Sequence, residues 1–356
     1  TPAGDPTYYF RTMAPGAEPF EFAVYADTSS GKNGSDLDHG RVVRSIVQYS
    51  HPAFVAVTGD LVVNGKLPDD WRRFFQVEGD LLRNVPIYAT LGNNDVNGAD
   101  LFKRYFTAPR KTPWFSFDYG GCHFIFLEIL RGQGAKYYNS FRPGNPQFAW
   151  LLDDLRRASV QARFAMVFFH APVYSPDGAV NQVLLEMLHP LFVKYGVDLV
   201  FNGTHSYTRA EKDGLVYFVS GGGGAEILPG RRGRTPEIKE VAYVLHHLRV
   251  SVDYPIVTVE VIDTNGSVAS SFTCWDPKAR GGAEEAGSSI TESAIIPRQG
   301  GDLPVEVYSL PSCAYCHSLL DKVIPRAARA AGAKVAVGYQ TLVIPAKLEN
   351  LVALEG

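Results

Sequence analysis

Five residues in this 356-residue chain could share one piece of chemistry: Asp27, Asp60, Asn93, His170 and His205. A carboxylate pair, an amide oxygen and two imidazoles suit divalent or trivalent metal ions. A carboxylate shared between two ions would hold them about 3.5–4 Å apart, the spacing used in phosphoester hydrolysis. Four of the five directly follow an apolar run, and His205 comes four residues after one: EFAVYAD, PAFVAVTGD, VPIYATLGNND, RFAMVFFH and VDLVFNGTH. Short apolar runs bounded by Gly, Asn and Pro read as buried strands. Polar residues at the C-terminal ends of such strands meet along one edge of an open α/β sheet.

These stretches resemble the calcineurin-like metallophosphoesterases, in particular the purple-acid-phosphatase-like branch. The likeness rests on AVYADTSSG, TGDLVVNG, ATLGNNDVNG, VFFHAPVYS, FNGTHSYTR and FVSGGGG, with WRRFFQ, WFSFDYGGCHFIFLE, QFAWLLDDLR and PLFVKYGVDLVFNG between them. It covers roughly residues 18–270. It implies an α/β fold, a two-sheet αββα sandwich with two metal ions (Fe, Zn or Mn) at one edge. Asp27 would hold the first ion, Asp60 would bridge both, Asn93 and His170 would hold the second, and His205 would return to the first. Asn94 and Asp95 take the catalytic positions. The implied activity is hydrolysis of a phosphorylated small molecule or peptide by metal-bound hydroxide.

The chain departs from that pattern at several positions. The family has a His directly after its motif Asn, and here the residue is Asn94, whose amide donates a hydrogen bond but delivers no proton near neutral pH. The late motif normally carries two His separated by one residue. The stretch NGTHSYTR has one: anchoring on its Tyr-x-Arg tail makes His205 the second His, and anchoring on Asn202-Gly203 puts Thr204 in place of the first. Ser29 stands where a His would follow the first Asp, and Val63 where purple acid phosphatases have a ligand Tyr. Two readings follow: a weakened phosphoesterase, or a non-catalytic scaffold or assembly subunit on the same fold. His39, in Asp38-His39-Gly40, is either a replacement ligand or, the reading the pattern favours, a helix-start residue.

Other residues read as structural. His51 precedes Pro52 in a loop, His123 alternates with apolar residues in a strand, and His189 lies in a helical pattern. His246 and His247 are neighbours in a strand and point to opposite faces. Asp36 and Asp38 mark a solvated turn, and Gly221 to Gly224 a turn near the metal edge. HHLRVSVDYPIVTVEVIDTNGSVASSFTCW reads as a closing hairpin, turning at Thr264-Asn265-Gly266, that completes the second sheet.

The expected organisation is an N-terminal arm (1–17), a metallophosphoesterase-like domain (18–276), a linker (277–301) rich in Gly, Ala, Ser and Glu, and a terminal segment (302–356). That segment runs strand, Cys313-Ala-Tyr-Cys316, amphipathic helix, strand, the thioredoxin-like redox layout, and resembles half of a glutaredoxin. A protein partner could complete it. With His317 the same residues also fit the c-type haem attachment pattern, so a thiol-redox or haem electron-transfer protein is a third reading. A plain disulfide is the bland one.

A net charge of −3 and the lack of a basic stripe argue against nucleic acid as a partner. The 46% hydrophobic content supports a sizeable core, and no apolar run reaches the length of a membrane span. The start, TPAGDPTYYF, reads as a processed end, which points to an extracytoplasmic (periplasmic or secreted) protein. Cys122 and Cys274 are distant singles; the chain is not a disulfide scaffold.

Overall fold

The computed structural model describes residues 18–32, 34–107, 110–130, 144–204, 206–227 and 235–275, and the backbone of 303–309 and 335–341. The chain divides into two compact units between Asp276 and Pro277.

The first unit opens with β1 (Phe20–Tyr25), α1 (Ser35–Tyr49), β2 (Val55–Val57), α2 (Pro68–Val77), α3 (Gly79–Leu82) and β3 (Ile87–Ala89). A short helix α4 (Ala99–Phe102) precedes β4 (Phe115–Tyr119) and β5 (Cys122–Phe126). Then come α5 (Pro146–Gln161), β6 (Phe164–Phe169), α6 (Gln182–Lys194), β7 (Leu199–Asn202), β8 (Tyr207–Lys212), β9 (Leu215–Ser220) and β10 (Ile238–Ala242). Three long strands close the unit: β11 (His246–Asp253), β12 (Ile256–Asp263) and β13 (Val268–Trp275). Two of the helices start at an Asn that caps them. The side chain of Asn145 accepts from Gln147 N at the head of α5, where Pro146 has no N–H to satisfy, and Asn181 accepts from Leu184 N at the head of α6.

One sheet has the order β13-β12-β11-β1-β2-β3 and the other β10-β8-β9-β7-β6-β5-β4. Both are mixed: β1, β2 and β3 run parallel, as do β5, β6, β7 and β9, while β11 and β4 pair antiparallel at their margins. The expected closing hairpin is a three-stranded meander. It joins the sheet of β1 rather than the sheet of the middle strands, because β1 has an open side that β11 takes up from Phe20↔Val252 to Val24↔Leu248.

Burial follows the strand period. Phe164, Met166 and Phe168 of β6 enter the core between the sheets, while Ala165, Val167 and Phe169 enter the core under α5 and α6. On β1, Phe22 and Val24 face inward and Ala23 and Tyr25 face the helices α1 and α2. The result is the αββα layering. Its middle is aromatic: Phe22 stacks on Phe54 at 5.0 Å and meets Phe124 edge-on at 5.3 Å, and Phe168 stacks on Phe126 at 4.6 Å.

His246 and His247 do point to opposite faces, yet both are buried, because both faces of the sheet are covered. His246 meets Ser220 of the other sheet and the Val244 carbonyl; His247 meets Ser50. Burial pushes His246 down to about 4. Burial, with His246 and Arg249 beside it, pushes His247 down to about 3. The unfolded chain takes up these protons below about pH 6.5 and the folded chain does not, so stability is full above that pH and falls as the pH drops. For His247 the loss at about pH 5 is on the order of 2 kcal/mol. Urea denaturation of the protein and of His247→Leu at about pH 7.5 and about pH 5 checks this: the protein is expected to lose more stability than the variant by that margin.

In the second unit, β14 (Leu303–Ser309) and β15 (Val335–Thr341) pair in parallel from Leu303↔Val335 to Ser309↔Thr341. Cys313, Cys316 and His317 lie outside the described residues, as do residues 1–17, the stretch 277–301 and His205. Among the described residues, no helix is long and apolar enough to cross a membrane.

Candidate metal centre

β1, β2, β3 and β6 end at one edge, and the loops that follow them carry Asp27, Asp60, Asn93 and His170 in turn. Asp27 and Asp60 both take left-handed backbone, with φ of 59° and 55°. Such backbone is uncommon outside glycine and persists where the surroundings enforce it, often at functional sites. Here the two loops are laced together after their strands end. Asp27 N donates to the Gly59 carbonyl, Ser29 N to that of Asp60, Ser30 N to that of Leu61, and Thr28 Oγ1 also to that of Leu61. The glycine run reinforces the first loop: Gly223 N donates to the Ala26 carbonyl and Ala225 N to that of Asp27.

Asp60 and His170 face each other, with Nε2 to Oδ2 at 3.5 Å. His170 Nδ1 donates to the Thr58 carbonyl at 2.8 Å, which fixes the ring and leaves the Nε2 lone pair toward Asp60. Asn93 Oδ1 is buried and has no hydrogen-bond partner, an orphan that calls for an explanation. Asn94 sits on the Asp60 carboxylate, its backbone N–H on Oδ1 at 2.9 Å and its side-chain Nδ2 on Oδ2 at 3.1 Å. Asp95 is buried and accepts three backbone N–H groups, from Leu61, Val62 and Gly92. It thereby fastens the Asp60 loop to the Asn93 loop. Asp27 Oδ2 accepts from Thr204 N at 2.8 Å.

The edge is crowded with negative charge. Burial, with Asp60 nearby, pushes Asp27 and Asp95 each up to about 7, against the pull of His170 and of backbone donors. Burial alone would pull His170 down, but Asp60 and Asp27 together hold it above its usual value. A bound cation would reverse this balance and favour the ionised carboxylates. The structure brings the Asp60 carboxylate to Nε2 of His170, and the Asn93 amide oxygen is buried without a partner; carboxylate, imidazole and amide oxygen are donor types that suit a cation. Among the described residues no three His, Cys, Asp or Glu side chains converge on a common point, so the amide oxygen of Asn93 is needed to complete even one set.

His39 is a helix residue in α1. It is fully buried, with Nε2 2.8 Å from Glu78 Oε1 and Nδ1 3.2 Å from Ser30 Oγ. Both its nitrogens are engaged, so it is not a spare ligand. His123, in β5, lies between Asp118 and Asp154, and His189 in α6 lies between Tyr217 and Asp213. No residue pattern announces the Thr204 N–H on Asp27 or the Thr58 carbonyl under His170, because backbone groups leave no residue signature.

The close approach of the loops requires glycine at 92. A Cβ there would collide with the backbone nitrogen and carboxylate of Asp60. Gly92→Ala is therefore expected to cost about 1–3 kcal/mol of stability and to weaken cation binding about 10–100-fold through a displaced Asp60. Thermal denaturation and metal titration of the variant measure the two effects.

Residues 20–207 match the family model for calcineurin-like phosphoesterases. The chain belongs to that family. Within it, the chain is similar to plant purple acid phosphatases. It is 27% identical over 253 residues to probable purple acid phosphatase 20 of Arabidopsis thaliana, covering 63% of this chain and 56% of the relative. It is 29% identical over 189 residues to Fe(3+)-Zn(2+) purple acid phosphatase 12 of the same plant, covering 44% of this chain and 37% of the relative. The solved structure of a purple acid phosphatase from yellow lupin seeds shares the fold, with a TM-score of 0.64 at 18% identity over 76% of this chain and 57% of that one. The chain spans about half the length of the curated relatives it matches.

Proposed function

We propose that this protein is a metal-dependent phosphoester hydrolase of reduced capability, with its cation held by Asp60, Asn93 and His170. The observation that carries this reading is His170, oriented by the Thr58 carbonyl, facing a left-handed Asp60 at 3.5 Å, together with the buried, unpartnered Oδ1 of Asn93. Iron, zinc or manganese suits such a donor set, and one similar plant enzyme is named for iron and zinc. When bound, the ion would neutralise charge on a phosphoryl group and acidify a water. The residues do the rest. The Thr58 carbonyl aims His170, Asp95 locks two ligand-bearing loops together, and the Asn94 amide steadies Asp60.

Asn94 cannot hand a proton to a departing alkoxide. Aryl phosphates, whose leaving groups need no proton, should therefore be turned over faster than alkyl phosphates. The difference is expected to reach about 10²-fold, the lower end of what general acid catalysis provides. The test is hydrolysis of 4-nitrophenyl phosphate and of an alkyl phosphate by EDTA-stripped protein given back Mn²⁺, Zn²⁺ or iron. Metal-dependent turnover with that preference supports the reading.

One observation favours a second reading. Both Asp60 oxygens are clasped by Asn94, so the residue at the acid position acts as a structural brace. A protein that binds the ion without turnover of any phosphoester would be a scaffold on this fold. The same proposal includes the organisation into 18–276, a 277–301 linker and a partial thioredoxin-like 302–356, whose Cys313 and Cys316 would be a dithiol.

A further inference from the structure

Phe169, His170, Ala171, Pro172 and Val173 carry the chain out of β6, and their buried backbone groups need new partners once the strand ladder ends. The His170 carbonyl accepts from Gly203 N at 3.0 Å, Ala171 N donates to the Ile129 carbonyl at 3.0 Å, and the Val173 carbonyl accepts from Asn181 N at 2.8 Å. Pro172 has no N–H to satisfy. The Phe169 carbonyl, just before the histidine, and the Val173 N–H, beyond it, go to a single side chain. Asn202 Nδ2 donates to the Phe169 carbonyl at 3.1 Å, and Asn202 Oδ1 accepts from Val173 N at 3.4 Å.

Asn202 is the last residue of β7, fully buried and paired with Phe169 across the parallel ladder. A buried amide is costly unless its polar atoms are bonded, and here both its oxygen and its nitrogen are spent on the exit of the neighbouring strand. The ring carried by that exit has no slack. A Cβ on Gly59 would come within 2.7 Å of His170 Nδ1 and a Cβ on Gly203 within 2.5 Å, so two loops close on the imidazole where only glycine fits. Nδ1 is also committed to the Thr58 carbonyl at 2.8 Å. A shift of the chain at Phe169 or Val173 therefore moves Nε2 relative to Asp60, because the ring cannot rotate to absorb it.

We propose that Asn202 is a positioning residue for the metal centre: its amide clasps the chain on both sides of His170 and thereby sets where Nε2 meets Asp60. This rests on the metal-centre reading above and deepens it. Asn202 acts on the cation through His170 and is not itself a ligand. The role calls for a donor and an acceptor on one short side chain, which Asn supplies, whereas Asp keeps only the acceptor and Leu keeps only the volume.

The experiment compares the full chain with Asn202→Leu, Asn202→Asp and a control, Asn145→Ala, which loses the cap of α5 and leaves the 169–173 turn alone. Two quantities are read: Mn²⁺ affinity, by titration of EDTA-stripped protein, and the proton resonance of His170 Nδ1–H in the metal-free protein, assigned by its absence from His170→Ala. Asn202→Leu is expected to weaken Mn²⁺ binding about 10–100-fold, the usual effect of removing a group that orients a ligand, and to shift or broaden the resonance. Asn202→Asp, which keeps the acceptor for Val173 N, should show a smaller loss and serves in its place if Asn202→Leu does not fold. The control should keep both the affinity and the resonance. Affinity and resonance unchanged in the folded Asn202 variants, or lost equally in the control, overturns the positioning role and leaves the metal-centre reading standing. Failure of the unsubstituted chain to bind Mn²⁺ overturns that reading and the role of Asn202 with it.

Discussion

Asp60→Asn is expected to empty the metal centre while leaving the fold intact. The change is nearly isosteric. The Asn oxygen can still accept from the Asn94 N–H, and the Asn94 side chain can turn its own oxygen toward the new amide. What disappears is the charge that pairs with a cation and sits 3.5 Å from His170. A catalytic ion supplies several kcal/mol of transition-state stabilisation, so hydrolysis should fall by about 10³-fold or to background. Stability should move the other way. In the metal-free protein Asp60 helps push the buried Asp27 and Asp95 up to about 7. Removing it relieves that repulsion, and the metal-free variant is expected to melt no lower than the metal-free protein. Lost metal binding with retained or raised Tm is the signature of a binding residue held at a cost in stability. A variant that binds Mn²⁺ normally would show that Asp60 is no ligand.

The second large effect is expected at Glu78, which lies outside the site. Its Oε1 accepts from Tyr25 Oη at 2.5 Å and is 2.8 Å from His39 Nε2, and all three side chains are buried. Burial and the Glu78 carboxylate keep the Tyr25 phenol well above its usual range, so it remains a donor at any working pH. The cluster lies under the Asp27 loop: Tyr25 ends β1, and His39 reaches Ser30 on its other nitrogen. Glu78→Ala would leave the Tyr25 phenol and Nε2 of His39 without their acceptor in a buried space. The expected loss is about 3–5 kcal/mol, read as a lower midpoint in urea at unchanged slope. Glu78→Gln keeps an acceptor and should lose less. Equal losses in the two variants would mean that the carboxylate charge is what matters there, and that neither side-chain volume nor a neutral acceptor replaces it.

The sequence made this edge visible because each candidate donor comes within four residues of the end of a buried strand, and strand ends converge by topology. Asp27, Asp60, Asn93 and His170 were readable for that reason. The brace from Asn94 to Asp60 and the three backbone bonds to Asp95 were not, since a side chain's partner depends on loop paths that spacing does not encode. The same holds for Tyr25, His39 and Glu78, whose contacts span 53 and 39 residues. Period-two alternation correctly put His246 and His247 on opposite faces. It did not reveal that both faces are covered, which depends on the second sheet on one side and the helices on the other. The meander was legible as antiparallel strands, but the choice of sheet was made by the open side of β1.

The most direct test of the account is a crystal structure of the protein soaked in Mn²⁺, with anomalous diffraction used to locate the ion. The expected result is an anomalous peak within coordination distance of Asp60, Asn93 Oδ1 and His170 Nε2. A peak elsewhere, or none beside these three residues at saturating Mn²⁺, would contradict it.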